Sequence, residues 1–123
     1  MFISEFATQA GVTVKTIRYY ESIGLLPESK RQGKYRHYDD TYVETVKQIK
    51  QAQILGFKLS EIKYFIQGEN IERGLPVQVM LTAINNKQQQ IDGEIQNLKL
   101  KAKMLENLAV ELKSSPCMLD SPV

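Results

Sequence analysis

A heptad repeat of apolar residues in the last third of the chain constrains the fold most strongly. At 1.5 Å per residue, a helix carrying this repeat runs about 53 Å from the first repeat position to the last. A stripe of that length cannot be covered by one small domain, so we expect a coiled coil between two copies of the chain. The predicted dimerisation residues are Val77, Leu81, Ile84, Gln88, Ile91, Ile95, Leu98, Ala102, Leu105, Ala109 and Leu112.

The residues before the repeat have the pattern of short helices separated by turn signals. Ser4 is expected to cap a first helix, which Gly11 ends by tolerating positive φ. Thr13 is expected to cap a second helix, which is stopped by Gly24. Two helices joined by a tight glycine-containing turn form a helix-turn-helix candidate.

The second of these helices has an inward and an outward side. Val14 and Ile17 are expected to point inward. A row of short polar and basic side chains facing outward suits a helix that lies in a DNA major groove. This outward row consists of Lys15, Thr16, Arg18 and Tyr19.

A small hairpin and two more helices are predicted next. Gly33 lies between basic residues, and the alternation that follows it is typical of a hairpin, or wing. A third helix is expected after Asp39 or Asp40, with Val43, Val46, Ile49 or Lys50, and Ile54 at helical spacing. Ser60 is expected to cap a fourth helix that carries Ile62, Phe65 and Ile66 and ends at Gly68.

These signals predict a mainly α fold with four parts. A winged helix-turn-helix domain occupies residues 1–70 and is followed by a linker at 71–75. The coiled-coil dimerisation helix takes residues 76–113, where Pro76 suits a first turn, and 114–123 form a short tail.

Basic charge is concentrated in one short block of the chain. The 123 residues carry a net charge of only +2, but residues 12–38 hold six basic residues against two acidic ones, a net of +4. The block also contains four tyrosines. Basic, aromatic and hydroxyl groups mixed in this way indicate contact with a phosphate backbone, and an ordinary solvated basic face is the alternative.

Composition argues against several other classes of protein. No run approaches the ~20 apolar residues of a membrane-spanning helix, so we expect a cytoplasmic protein with no membrane partner. One histidine, His37, and one cysteine, Cys117, cannot close a structural zinc site, and we expect no metal and no cofactor. No nucleophile with a nearby base and no glycine-rich phosphate loop is present, so the chain is not expected to be an enzyme.

Three blocks of the sequence resemble the MerR family of bacterial transcription regulators. They are IRYYESIGLL, KYRHY and ILGFKLSEIK, in the order and spacing of that family, and the resemblance covers about residues 2–113. It implies a homodimer, joined by an antiparallel coil, that binds a palindromic promoter operator. It further implies that the regulator distorts overlong promoter DNA so that RNA polymerase can use the promoter.

The resemblance also implies which residues contact DNA. The second helix would supply Thr13, Lys15, Thr16, Arg18, Tyr19 and Tyr20, and the wing would supply Lys34, Tyr35, Arg36 and Tyr38. Arginine forks match phosphate oxygens, and tyrosine hydroxyls donate to them without adding charge. Core packing is the alternative for Tyr20.

The chain departs from the family at the effector site. Metal-sensing members place Cys or Ser at the start of the long helix, where this chain has Val77. The one cysteine of the chain, Cys117, lies in the tail and has three possible interpretations: a packed tail residue, a thiol sensor, or the remnant of a metal loop. The effector and the direction of regulation stay open. An alternative function is a coiled-coil interaction module whose winged helix-turn-helix binds protein.

Overall fold

The computed structural model describes residues 1–114 of the chain. In order, the elements are α1 (Ile3–Ala10), α2 (Val14–Ser22), β1 (Lys30–Gln32), β2 (Tyr35–His37), a 3-10 turn (Asp40–Tyr42), α3 (Val43–Ile54), α4 (Leu59–Ile66) and α5 (Val77–Ser114). The fold is mainly helical, with a two-stranded wing and a long helix, which confirms the predicted fold class. Cys117 lies outside the described residues.

Glycine and threonine define the helix-turn-helix as the sequence predicts. Gly11 adopts φ +70° and ends α1. The Thr13 side chain accepts a hydrogen bond from the backbone N–H of Thr16 at 3.1 Å and caps α2. Gly24, after the last turn of α2, has φ +81°. Both glycines adopt the left-handed backbone conformation, which is strained for residues that have a Cβ.

The two predicted serine caps are wrong. Helix α1 begins at Ile3 and α4 at Leu59, one residue before Ser4 and Ser60 respectively, so both serines lie inside their helices. At the start of α4, the carboxylate of Glu61 accepts a hydrogen bond at 3.0 Å from the backbone N–H that precedes the helix. Glu61, the third residue of α4, therefore stabilises the start of this helix in place of the predicted Ser60 cap.

The first four helices enclose one hydrophobic core. Burial of these apolar side chains supplies the main driving force for folding this part of the chain. The buried apolar residues are Phe6, Ala7, Ala10, Ile17, Tyr20, Leu25, Leu26, Tyr38, Val46, Ile49, Ile62 and Ile66. Ile54 was expected to continue the inward row of α3, but it is 76% exposed. It lies five positions after Ile49, which rotates it about 140° away from the buried face.

The segment predicted as a linker is hydrogen-bonded to α3. The Thr45 hydroxyl, which is buried, donates to the carbonyl of Ile71 and accepts from the N–H of Gly74 at 3.1 Å. The Gln48 side chain accepts from the N–H of Leu75 at 2.6 Å. Polar side chains of α3 thus satisfy backbone groups of this segment, which the sequence alone did not indicate.

Two compact units are distinguished within the chain, Met1–Ala83 and a second that begins at Ile84. In the described part of α5 no residue is buried, and every predicted dimerisation residue is exposed. Among the residues that the structure describes, no helix combines the length and the apolar character that crossing a membrane requires.

Candidate nucleic-acid interface

The outward face of α2 carries the residues that its sequence pattern predicts. Lys15, Arg18 and Tyr19 are exposed, and Tyr19 retains 50% of its accessible surface. The hydroxyls of Thr13 and Thr16 lie 2.9 Å apart at the N-terminus of the helix, which the Thr13 side chain caps. The face therefore combines two cations and an aromatic ring with a capped helix N-terminus, which is a favourable setting for an anion.

Tyr20 lies on the opposite side of α2. It is 1% exposed, and its hydroxyl donates a hydrogen bond to the side-chain oxygen of Gln53 in α3. Burial raises the pKa of the Tyr20 hydroxyl above its ordinary value. The structure thus supports the core-packing alternative, and we remove Tyr20 from the set of expected DNA contacts because its side chain cannot reach a phosphate.

The wing is a short antiparallel hairpin. Lys30 pairs with His37, Arg31 with Arg36, and Gln32 with Tyr35, and all six residues are exposed. Gly33 takes φ +66° at the turn, a conformation that glycine adopts without strain. The hairpin presents basic side chains to solvent, as the sequence predicts.

The N-terminal residues hold the base of the wing. Met1 and Tyr38 exchange two backbone hydrogen bonds, of 2.7 and 2.9 Å. The Phe2 ring makes edge contacts with Tyr35 and His37, at centroid distances of 5.6 and 6.4 Å. His37 also lies 2.8 Å from the amino nitrogen of Met1 through its Nε2 atom. The wing is therefore packed against the start of α1.

A basic groove runs between α2, the start of α1 and the wing. Four cations line it: Arg18 from α2 and Arg31, Lys34 and Arg36 from the wing. The complete lining is Phe2, Ile3, Ser4, Arg18, Arg31, Lys34, Tyr35, Arg36 and Tyr38. Residues that are distant in sequence thus form one positively charged surface of the kind that phosphates occupy.

One carboxylate, bonded to Arg36 of this groove, joins α2 to both ends of the wing. Glu21 accepts hydrogen bonds at Oε1 from the N–H and hydroxyl of Ser29, at 3.0 and 2.9 Å. The same oxygen accepts from an Arg36 guanidinium nitrogen at 2.7 Å, and Oε2 accepts from the Tyr38 hydroxyl at 2.8 Å. The Glu21 side chain is 7% exposed, against 46% for Arg36.

The hydrogen bonds around Glu21 favour its ionised form. Burial alone raises the pKa of the Glu21 carboxyl, but the bonds from Ser29 and Tyr38 and the charge of Arg36 outweigh it and hold the pKa below its usual range. Burial also raises the pKa of the Tyr38 hydroxyl, to which its hydrogen bond with Glu21 and the charge of Glu21 add. The carboxylate is thus ionised and the phenol protonated at neutral pH.

These contacts change the roles expected for two wing residues. Tyr38 is buried, with its ring stacked on Phe6 at 5.3 Å and its hydroxyl directed to Glu21. We therefore remove its hydroxyl from the expected phosphate contacts, because it already donates inside the protein. Arg36 uses one nitrogen for Glu21 and Ser29, and it remains on the wall of the groove.

Sequence reasoning missed three residues of this surface. Arg31 was counted only as part of the basic block, and Glu21 only as a charge that reduced it. Ser29 carried no signal of its own. The one available clue was an acidic residue inside an otherwise basic helix face, but its partners lie 8, 15 and 17 residues further along the chain. Only the folded chain brings them together.

Within residues 1–114, no group of three or more His, Cys, Asp and Glu side chains is placed to hold a metal ion.

Two family models match the chain. One, described as MerR HTH family regulatory protein, matches residues 1–69, and the other, described as MerR, DNA binding, matches residues 43–108. Together they cover the helix-turn-helix, the wing and most of α5.

Curated proteins match mainly the first half of the chain. The mercuric resistance operon regulatory protein of Bacillus cereus is 49% identical over 61 residues, covering 49% of this chain and 46% of that protein. The HTH-type transcriptional activator mta of Bacillus subtilis (strain 168) is 31% identical over 97 residues, covering 78% and 38%. The matched part of the chain spans less than half the length of either relative.

Solved structures share the fold over nearly the whole chain. The transcription regulator PbrR691 from Ralstonia metallidurans CH34, in complex with lead(II), has a TM-score of 0.55 at 28% identity and covers 92% of this chain and 83% of its own. HiNmlR, a MerR family regulator lacking the sensor domain and bound to promoter DNA, has a TM-score of 0.56, covering 99% and 96%. Its identity is 21%, so this likeness concerns the fold alone.

Proposed function

The chain belongs to the MerR family of HTH regulatory proteins, and we propose that it regulates transcription by binding double-stranded promoter DNA as a homodimer. The observation that carries the proposal is the groove in which Arg18 of α2 meets Arg31, Lys34 and Arg36 of the wing. Arginine forks bind phosphate oxygens through paired hydrogen bonds, so such a groove is suited to follow a DNA backbone.

Helix and wing have different parts in this binding. The second helix of a helix-turn-helix enters the major groove, where the exposed face of α2 would meet base edges and phosphates. The wing would contact the neighbouring backbone. The proposed contacts are Thr13, Lys15, Thr16, Arg18 and Tyr19 from α2, and Arg31, Lys34, Tyr35 and Arg36 from the wing.

The exposed apolar stripe of α5 supports the homodimer. Ile84, Ile91, Ile95 and Leu98 are large apolar residues with more than a third of their surface exposed. Covering such a stripe by a second copy of α5 removes apolar surface from water and follows the heptad pairing of coiled coils. An antiparallel pairing would place a helix-turn-helix at each end of the coil, which suits an operator with dyad symmetry.

We further propose that the protein regulates transcription by distorting promoter DNA. The dimer would bind a dyad between promoter elements that are set too far apart, and would twist the DNA so that RNA polymerase engages both. The same protein on a normally spaced promoter would repress, since it would then compete with the polymerase for the site.

Salt-dependent binding of the purified protein to DNA tests the core of this proposal. We expect a steep fall in affinity with salt, because neutralised phosphates release counterions. Arg18→Ala should weaken binding to all duplexes and lower the salt slope by about 0.9 for each phosphate that is no longer neutralised. Lys103→Ala is the matched control, since it removes one charge from an exposed position on α5. Equal binding by wild type and Arg18→Ala would overturn the placement of α2.

A further inference from the structure

We propose that Glu21 is a positioning residue that fixes the wing relative to α2 and thereby makes DNA binding selective for sequence. This inference rests on the proposed DNA-binding function and adds a specific role for a residue that touches no DNA. An acidic group in a DNA-binding surface needs a reason, because its charge repels phosphates.

The hydrogen-bond pattern gives the first argument for this role. Glu21 belongs to α2, while its partners lie on both sides of the wing: Ser29 precedes β1, Arg36 lies within β2, and Tyr38 follows β2. One side chain therefore joins the helix to the entrance and the exit of the hairpin. A hairpin of two three-residue strands depends on contacts from outside it, since isolated hairpins are marginally stable. Met1 and Phe2 hold the wing against the start of α1, and Glu21 joins it to α2.

The position of Arg36 gives the second argument. Its guanidinium is bonded to Glu21 through one nitrogen and lines the basic groove together with Arg18. A charge-assisted bond to a nearly buried carboxylate restricts the rotamers of a long side chain. Glu21 therefore determines the direction in which Arg36 meets a ligand. Its negative charge at the same time offsets part of the positive charge of Arg36.

Charge and geometry predict opposite results when the carboxylate is neutralised. If Glu21 acts only through its charge, Glu21→Gln adds +1 per chain and strengthens binding to any DNA. If it positions the wing, the same change weakens binding to the preferred sequence. The neutral amide keeps only one acceptor oxygen, so it cannot accept at both of the positions where Ser29 and Tyr38 donate, and the ion pair with Arg36 is lost. Backbone contacts from the wing fix the register in which α2 meets the bases. Binding to unrelated DNA, where no register is preferred, would then be unchanged or tighter.

The experiment compares two duplexes of equal length. One is selected by the wild-type protein from a random-sequence pool, and the other is the same sequence scrambled. For Glu21→Gln we expect affinity for the selected duplex to fall about tenfold, the loss typical of one hydrogen bond to a charged group, with no fall for the scrambled duplex. Glu28→Gln is the matched control: it makes the same change of charge at an exposed residue near the groove, and it should keep the wild-type ratio of affinities.

Two further measurements separate positioning from loss of structure. The slope of log affinity against log salt on the selected duplex should become shallower in Glu21→Gln, since a misplaced wing neutralises fewer phosphates, whereas a smaller folded fraction leaves the slope unchanged. Ser29→Ala removes one donor to the carboxylate and is expected to change the ratio in the same direction by a smaller factor. It decides the question if Glu21→Gln does not fold.

The possible outcomes are distinct. If wild type selects no duplex, the proposed DNA-binding function fails and this inference fails with it. If wild type selects a duplex and both Glu21→Gln and Ser29→Ala keep its preference, the positioning role alone is overturned. Tighter binding of Glu21→Gln to both duplexes would assign Glu21 a purely electrostatic effect.

Discussion

Adjacent tyrosines on α2 lie in opposite environments. Tyr19 is half exposed on the face that would meet DNA, whereas Tyr20 is buried and bonded to Gln53. The helix pattern predicts Tyr19 on the outward face, whereas Tyr20 enters the DNA-contacting set only through the family resemblance, with core packing as the alternative. The burial of Tyr20 supports that alternative. Their environments predict different consequences for the same change.

Removing each hydroxyl tests this assignment. Tyr20→Phe should lower the free energy of unfolding by about 1 kcal/mol, because Gln53 loses a buried partner, and should leave DNA affinity unchanged. Tyr19→Phe should leave stability unchanged and weaken DNA binding about two- to tenfold, the range for one lost hydrogen bond. Urea unfolding and DNA titration of both variants provide the comparison. A DNA defect confined to Tyr20→Phe would contradict the proposed face.

The environment of Glu21 predicts a dependence of stability on pH. Its pKa lies below the ordinary value of 4.5 in the folded chain, since its hydrogen bonds and Arg36 outweigh the effect of burial. The ionised group therefore stabilises the fold above about pH 4.5, and this contribution is lost as the pH falls below that value toward the folded pKa. Between pH 7 and pH 3, urea unfolding should show the stability gap between wild type and Glu21→Gln closing. Parallel curves would show that Glu21 contributes nothing through its charge.

At the level of elements, the sequence alone predicts a turn where the backbone conformation requires glycine. Gly11 and Gly33 both have positive φ, and both turns were predicted. The Ser4 and Ser60 caps failed because a serine near a helix start fits several registers equally well. The cluster around Glu21 could not be predicted, since its bonds depend on tertiary packing between α2 and the wing.

Two glycines provide a matched pair for the same substitution. A Cβ added at Gly33 or Gly93 would meet no atom within 4 Å, so only backbone conformation distinguishes them. Gly33→Ala should destabilise the wing by about 1 kcal/mol, because φ is +66° there. Gly93→Ala should stabilise α5 by about 1 kcal/mol, because glycine is a poor helix former. Unfolding at one fixed protein concentration compares them, and an equal effect of both changes would contradict this account.

The stripe on α5 predicts which substitutions separate the dimer. Leu98→Lys places a charge in the proposed seam and should give a monomer at concentrations where the wild type is dimeric. Gln96→Lys adds the same charge on the opposite side of the helix and should remain dimeric. Sedimentation equilibrium of both variants distinguishes them. A dimeric Leu98→Lys protein would show that the heptad stripe is not the interface.

At the level of the whole molecule, a small basic domain is joined to a helix that its own chain leaves exposed. The net charge of the chain is only +2, so affinity for DNA must come from the arrangement of cations in the groove rather than from total charge. The proposed homodimer would double that groove and relate its two copies by dyad symmetry. The family assignment from three sequence blocks is confirmed, whereas the dimer and its operator remain predictions.

Base-resolution footprinting of genomic fragments selected by the purified protein tests the central claim most directly. We predict two protected blocks related by a dyad and separated by a whole number of DNA turns, with two chains bound, and no such pattern with Leu98→Lys. A dyad inside an overlong promoter spacer would indicate activation by distortion, and one on a normally spaced promoter would indicate repression. A single asymmetric block, or no selected fragment from a folded and dimeric protein, would contradict the account.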